Sequence, residues 1–370
     1  MLLRGDRRVL LTHMTMIGLA AILEDAGAQN VRVGWTDEMQ SRPRVIADDV
    51  DFDQVAVVVR DHARDHSLAT SWLEKSIEVE GSDGVKLVGL MSPRVAKLLD
   101  VESPNGLATW TRLSQGRQRS IDVPTASSAR LDLMLLGSLG APSYWHRSQK
   151  NEPLQDYGAS RWEMKTRNRG EDFVRNRLHL VGSDVAQRDP LSIRDGLAGA
   201  ITRDIAGKVD PESRTATGMA APGPTDAAPA WCALWGISQL PVVPYAVGPR
   251  PRGTPSRSAG HLPRRQPHRG WFYLPMAVSP MAMPRLRSIL LSGPLRDFVQ
   301  VGVEDAMRDG DIDRRAANLE LTRQAHREWL ADRGVAAVAR FELIASSNPS
   351  APELRALDGF IESWGLTDGR

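Results

Sequence analysis

Apolar residues recur at helical spacing from Met14 to Ala26 and stop at Gly27, which predicts a helix closed by a glycine. Ahead of it, Val9-Leu10-Leu11 reads as the opening of a strand. Behind it, Val31-Arg32-Val33-Gly34-Trp35 alternates as a half-buried strand does. Asp53 to His66 predicts a helix, although its run from Val55 to Val59 would equally suit a buried strand. Ser67 to Ile77 also reads as helical, Val95 to Leu99 as a short helix after Pro93, and Ile121 to Val123 as a strand before Pro124. Ser127 to Leu139 predicts a capped helix. Leu131, Met134, Leu135 and Leu139 share one face, and Gly140-Ala141-Pro142 ends it.

Helical spacing returns from Ile193 to Ile205. Val209 to Pro229, with four prolines among small and polar residues, reads as a linker or long surface loop. Placed at residues 210–229, it divides a mixed α/β part, residues 1–209, from a C-terminal part, residues 230–370. In the latter, Trp231 to Leu240 is a short apolar helix closed by Pro241, and Trp271 to Leu274 is a strand. Arg314 to Arg333 is a long helix whose Leu319, Ala325, His326, Trp329 and Leu330 are expected to face inward. Val335 to Ile344 follows as a strand and Glu353 to Trp364 as a last helix. The expected class is α+β (mixed α/β), with long irregular loops and a mainly helical C-terminal part.

Composition narrows the setting. Of the 370 residues 41% are hydrophobic and 25% charged, the balance of a chain that folds. No apolar run approaches the roughly 18–20 residues of a membrane span. Arg4, Asp6, Arg7 and Arg8 stand where a secretion signal would need its apolar stretch. Cys232 is the sole cysteine, so neither an internal disulfide nor a cysteine-based zinc site is possible. These features together predict a cytoplasmic protein with no membrane partner.

Charge is informative only by position. The net charge is +2, yet six of the 47 basic residues are lysine and the rest arginine. A GC-rich coding sequence would give that bias; so would a need for guanidinium forks, which suit phosphates and guanine edges. From Ala227 to Arg296 there is no carboxylate, and there are nine arginines. Six of them, Arg250, Arg252, Arg257, Arg264, Arg265 and Arg269, fall in the irregular stretch from Gly248 to Gly270. A solvated face normally mixes signs, so such a loop suits a polyanion, although an acidic protein or no partner at all would also fit. Thr109 to Ser120 carries Arg112, Gln115, Arg117, Gln118 and Arg119 without an acid and reads as a loop. Arginine and glutamine are side chains that read purine edges bidentately. Arg161, Lys165, Arg167, Asn168 and Arg169 surround Trp162, a ring able to stack on a base. The first of these two clusters is expected to read DNA sequence. The second, with the six loop arginines, is expected to hold the nucleic-acid backbone.

Signs of catalysis are sparse. His62 and His66 are spaced as two zinc ligands on one helical face, but Ala63 occupies the position of the metalloprotease glutamate. A third ligand, Asp61 or His13, would have to join them. The simpler reading is a solvated helix end in which Asp61 and Asp65 pair with Arg60 and Arg64. No glycine-rich phosphate loop and no Gly-x-Ser-x-Gly elbow occurs. Cys232, between Trp231 and Trp235, reads as a packing residue. No catalytic residue, metal or cofactor is therefore assigned.

Three stretches together resemble a known family. They are Trp110 to Trp145, with Arg117-Gln118-Arg119-Ser120 and Leu136-Gly137-Ser138-Leu139-Gly140; Arg161 to Arg177; and Ala233-Leu234-Trp235-Gly236-Ile237 followed by Leu240-Pro241-Val242-Val243-Pro244. They are similar to the compact large subunit of CRISPR type I interference complexes (Cascade), subtype I-G, formerly I-U. The similarity spans about half of the chain and is one of composition and order. It implies a non-enzymatic subunit that recognises the protospacer-adjacent motif, stabilises the R-loop and recruits a helicase-nuclease. The implied partners are guide CRISPR RNA, target DNA, the repeated backbone subunit and the RNA-end-binding subunit. In such complexes base pairing reads the target, and protein reads only the adjacent motif and the backbone. Two other classes stand beside this one: a metal-dependent hydrolase built on His62 and His66, and a scaffold that binds only protein.

Overall fold

The computed structural model describes residues 1–81, 84–91, 104–126, 130–140, 145–147, 153–155, 173–204, 217–243, 257–263, 270–305, 314–345 and 354–364. The chain opens with helix α1 (Leu10–Asp25), whose sides are buried almost all round. The Val9-Leu10-Leu11 triplet is therefore its N-cap and first turn and not a strand; three apolar residues alone do not distinguish the two. Gly27, with φ 89°, follows the helix as expected. Strands β1 (Arg32–Trp35) and β2 (Pro43–Ile46) come next. Helix α2 (Phe52–His66) starts at a reciprocal cap in which Asp51 and Gln54 bond each other's backbone amides. It buries Val55, Ala56, Val59 and Ala63.

Residues 67–75 are turns, where a helix was expected. The Ser67 hydroxyl donates to the Ala63 carbonyl, and Ser71 Oγ accepts the Leu73 amide. Such local bonds compete with helical ones. A hairpin of β3 (Ser76–Gly81) and β4 (Gly84–Gly89) leads toward α3 (Pro104–Ala126), a helix of 23 residues, and α4 (Arg130–Leu139). Helix α3 overturns two expectations at once: the stretch from Thr109 to Ser120 is not a loop, and Ile121 to Val123 is not a strand. The predicted helix at Val95 to Leu99 lies outside the described residues.

A short pair, β5 (Trp145–Arg147) and β6 (Pro153–Gln155), precedes α5 (His179–Gln187) and α6 (Pro190–Ala198). Helix α6 stops at Gly199 in the left-handed region, short of the expected Ile205. Helix α7 (Ala227–Gly236), capped by Asp226, is the apolar helix read at Trp231, begun one turn earlier. Then follow β7 (Val242–Val243), β8 (Arg257–Ser258), β9 (His261–Pro263), β10 (Gly270–Met276), β11 (Met281–Ala282), α8 (Met283–Leu290), α9 (Gly293–Asp305) and α10 (Arg314–Ala331). The end is β12 (Ala337–Ala345), β13 (Leu354–Ala356) and β14 (Phe360–Ser363). Two strands thus replace the helix expected from Glu353 to Trp364, and both pair with β12. Among the described residues the C-terminal part has more helix than strand, as expected, and it also carries the largest sheet. In α10, Leu330 is buried as expected and Ala325 is exposed.

Strands lie in the order β11-β1-β2 in one sheet and β13-β12-β10-β9-β8-β7 in the larger, with β14 also on β12. Every pairing is antiparallel, and the class is α+β. The core joins both sides of the supposed linker. Helix α1 crosses α7 so closely that a Cβ on Gly18 would stand 1.7 Å from the Cys232 carbonyl oxygen. Gly236 faces the Met14 carbonyl in the same way. Two glycines at one crossing let the backbones touch. Asp226, within the expected linker, ties α7 to α5 through Arg188, whose side chain is fully buried. One Arg188 Nη1 spans both Asp226 oxygens at 2.8 and 3.0 Å, and Nε meets Asp184 at 2.7 Å. The described residues on both sides of 210–229 therefore share one core. Among the described residues no helix is long and apolar enough to cross a membrane.

Candidate nucleic-acid interface

Helix periodicity sorts the Arg/Gln cluster of α3. Thr109, Leu113, Arg117 and Ser120 are buried, while Thr111, Arg112, Gln115, Gln118, Arg119 and Asp122 are exposed. At 3.6 residues per turn these fall on opposite sides. Four of the five residues assigned to sequence reading thus share one solvent-facing stripe. Gly116 does not break the helix because it lies against the hairpin: a Cβ there would sit 3.1 Å from Leu90 Cδ1. The fifth, Arg117, turns inward, and its Nη1 donates to the Leu90 carbonyl at 3.0 Å. Arg117 is therefore a packing residue, which corrects its assignment as a base reader. The spacing inside "RQR" decides this, since neighbours on a helix cannot face the same way.

The exposed stripe holds its cations lightly. Arg112 reaches Thr109 Oγ1 at 3.4 Å, and Arg119 Nε reaches the Gln115 carbonyl at 3.3 Å. Both bonds are long and stay within one turn. From Arg112 to Arg119 the helix rises about 10 Å, roughly three base-pair steps. An α-helix of this kind fits the major groove, where arginine and glutamine address guanine and adenine edges.

The other assigned positions fare differently. Arg161, Lys165, Arg167, Asn168 and Arg169, like Arg250, Arg252, Arg264, Arg265 and Arg269, lie outside the described residues. Arg257 stands in β8, paired with Val243 of β7, so it belongs to the sheet and not to an irregular loop. Within the carboxylate-free tract, Arg287 is matched by Glu24 of α1, and Arg296 by Asp297. A segment lacking acids in sequence acquires them in space.

The histidine pair is not a solvated helix end. His62 and His66 are enclosed by Trp231 and Trp235 of α7, with ring centroids 4.4–6.0 Å apart. His66 Nδ1 contacts the His62 carbonyl at 2.7 Å, and its Nε2 contacts Asp132 Oδ1 at 2.8 Å. Two acceptors on one ring demand both protons, hence an imidazolium. Burial alone would lower the His66 pKa, but the hydrogen bond and charge of Asp132, with the His62 carbonyl, raise it. Trp72 Nε1 donates to the same Asp132 oxygen at 2.8 Å. His62 is the opposite case. Its Nδ1 accepts from Trp231 Nε1 at 3.1 Å, which leaves its proton on Nε2. Burial, then the His66 charge, holds its pKa well below the usual value. Neither ring offers a lone pair to a metal. His13 is remote from them, against Trp35 and Phe341. Among the described residues no group of three His, Cys, Asp or Glu side chains is arranged to hold one. Asp61 does pair with Arg60, at 2.9 Å. Cys232 is fully buried, and burial pushes its thiol pKa far up.

One cationic feature escaped sequence reading. An open cleft of about 750 Å³ is lined by Arg4, Arg7, Arg8 and Arg42, with Asp6 as its one carboxylate. In sequence the cluster shows only as Arg4-Gly5-Asp6-Arg7-Arg8, with nothing that links it to Arg42. Comparison with protein-family models finds no match, and comparison with curated proteins finds none either.

Proposed function

We propose that this protein is the nucleic-acid-binding large subunit of an RNA-guided CRISPR type I DNA-surveillance complex. In this reading it recognises the protospacer-adjacent motif, stabilises the R-loop and recruits the helicase-nuclease, without chemistry of its own. Guide CRISPR RNA, target DNA and the other Cascade subunits are its partners, in the cytoplasm. The resemblance of the α3, Arg161–Arg177 and α7 sequences supports the family. The exposed stripe of Arg112, Gln115, Gln118 and Arg119 is the observation that carries DNA reading, because a helix presents two arginines and two glutamines on one face within a span of about three base pairs.

The test is duplex binding across a library of short motifs, with the purified protein and with the complex it joins. Arg112→Gln or Arg119→Gln at a base-reading position relaxes preference at one or two base pairs, by about 1–3 kcal/mol each. Neutralising Arg264, Arg265 and Arg269 instead weakens binding to all sequences and flattens its salt dependence. Co-purification of a short RNA with the protein would place it in the complex. Parent-like binding by all of these variants would sink the reading. Absence of nucleic-acid affinity at low salt would turn it toward a protein-binding scaffold.

A further inference from the structure

We infer that the N-terminal cleft is a second nucleic-acid site, a seat for the phosphodiester backbone of a single strand. The inference stands apart from the α3 stripe and uses none of its residues. Its first support is charge: four arginines and one aspartate line a single concavity, although Arg7 Nη1 is buried and Arg4 Nη1 is engaged by the Gly199 carbonyl. Arg8 and Arg42 are exposed there, and the Asp6 carboxylate already accepts the Arg8 backbone amide at 2.7 Å. Like charges gathered in a cleft focus potential and favour a polyanion.

The second support is that the backbone carrying these arginines is fixed before any ligand arrives. The Arg4 amide bonds the Leu197 carbonyl, and the Arg8 carbonyl accepts the Gly359 amide. His13 Nε2 holds the Arg7 carbonyl at 2.7 Å. Thr36 and Arg42 close the opposite loop through Thr36 N to Arg42 O and Arg42 N to Thr36 Oγ1, both at 2.9 Å. Gly5, with φ 145°, fits against Thr12 where a Cβ would come within 2.3 Å of Oγ1. Gly199 leaves room for the Arg4 stem, whose Nη1 bonds the Gly199 carbonyl at 2.6 Å. Guanidinium groups on a pinned backbone lose less freedom on binding than the same groups on a loose loop.

The third support is what the lining lacks. Beside the charged groups it has Gln40, Ser41, Met39, Ala198 and Gly5, and among the described residues no aromatic ring. A nucleotide base would find nothing to stack on, and the apolar side chains of a peptide would find little to bury against. The chemistry left is charge and hydrogen bonding to phosphate oxygens, which is independent of sequence.

The experiment uses the full chain, a labelled oligothymidylate and an abasic strand of equal length, with binding followed by anisotropy across a salt series. The parent binds both strands alike. Arg8→Gln with Arg42→Gln flattens the log–log salt slope on both strands by about 1.4, at about 0.7 for each phosphate contact on a single strand. Arg8→Lys with Arg42→Lys retains the slope and shows that the change is one of charge and not of folding. Arg112→Gln with Arg119→Gln leaves abasic binding intact, so failure of the α3 reading is separable. The inference is overturned by a Gln pair with the parental slope, by a parent that ignores the abasic strand, or by oligoglutamate competing as well as the oligonucleotide. It is equally overturned if tripolyphosphate binds in the cleft while single strands do not.

Discussion

Helices α2 and α3 both carry dense ionisable clusters, Arg60 to His66 and Arg112 to Arg119, and the fold uses them in opposite ways. In α2 the two histidines turn into the molecule, where Trp231 fixes the protonation state of His62, and Asp132 with the His62 carbonyl fixes that of His66. In α3 the cations and amides turn outward, and one arginine is drawn in to satisfy the Leu90 carbonyl. The periodicity is the same in both. What differs is the neighbour: α2 lies against apolar α7, whereas the outer side of α3 meets solvent. Residue type alone therefore misassigns both helices. The histidine pair is structural because three of its four ring nitrogens are engaged by the protein and the fourth, His62 Nε2, keeps its proton, and an arginine is available to a ligand only on the face that packing leaves open.

The largest effect expected from breaking this contrast is at Asp132. Asp132→Ala leaves the His66 imidazolium and the Trp72 indole without their shared acceptor. It should cost about 3 kcal/mol, the lower end of what removing one partner of a buried charge pair costs, because both side chains keep slight exposure. Asp132→Asn retains an acceptor and should cost roughly 1–2 kcal/mol. Urea unfolding decides, and equal losses for the two variants would mean that charge is irrelevant there.

Nearly as large is the response to acid. Burial lowers the His13 pKa from 6.5 to about 4, and its Nδ1 has no hydrogen-bond partner among the described residues. The unfolded chain takes this proton near pH 6.5 and the folded chain only near 4. Stability is thus intact above 6.5 and falls as pH drops through that window, by about 3 kcal/mol at most. His62 acts in the same direction. His66, with its raised pKa, acts in the other: its contribution is intact below 6.5 and is lost as pH rises through the folded value. Unfolding midpoints at pH 7.5, 6 and 4.5 should fall, and His13→Gln, which keeps a donor for the Arg7 carbonyl, should flatten that fall. An unchanged acid limb in the variant would refute the assignment.

The two helices also show what the sequence makes legible. Helix α2 is legible to within one residue of its start, though its Asp51 cap is not, and β10 and β12 follow from apolar runs between turn residues. Helix α3 was hidden because Ser114, Gly116 and Ser120 resemble loop chemistry, whereas its inner face is set by tertiary contacts such as Gly116 against Leu90 and the burial of Leu113. Strands β13 and β14 were hidden because their order comes from pairing with β12, a long-range partner. Of the candidate sites, the residue types of the α3 stripe were visible and their shared face was not. The N-terminal cleft was invisible, since Arg8 and Arg42 line one concavity only once β2 and α1 are in place.

The smallest and sharpest comparison lies within α3 itself, between Arg117 and Arg119. Arg117→Met removes the donor from the Leu90 carbonyl and should cost about 1–2 kcal/mol in urea unfolding, the usual loss for an unmet buried acceptor. Its effect on duplex binding should be slight, because its guanidinium faces the core. Arg119→Gln should leave stability within about 0.5 kcal/mol, as exposed substitutions do, and yet reduce the salt slope on duplex DNA by about 0.9 if its contact is a phosphate. If instead it addresses a base, the slope stays and selectivity at that step relaxes. A swap of these two phenotypes would show that the helix presents its other face to the nucleic acid. Parental behaviour at both positions would remove α3 from the interface altogether.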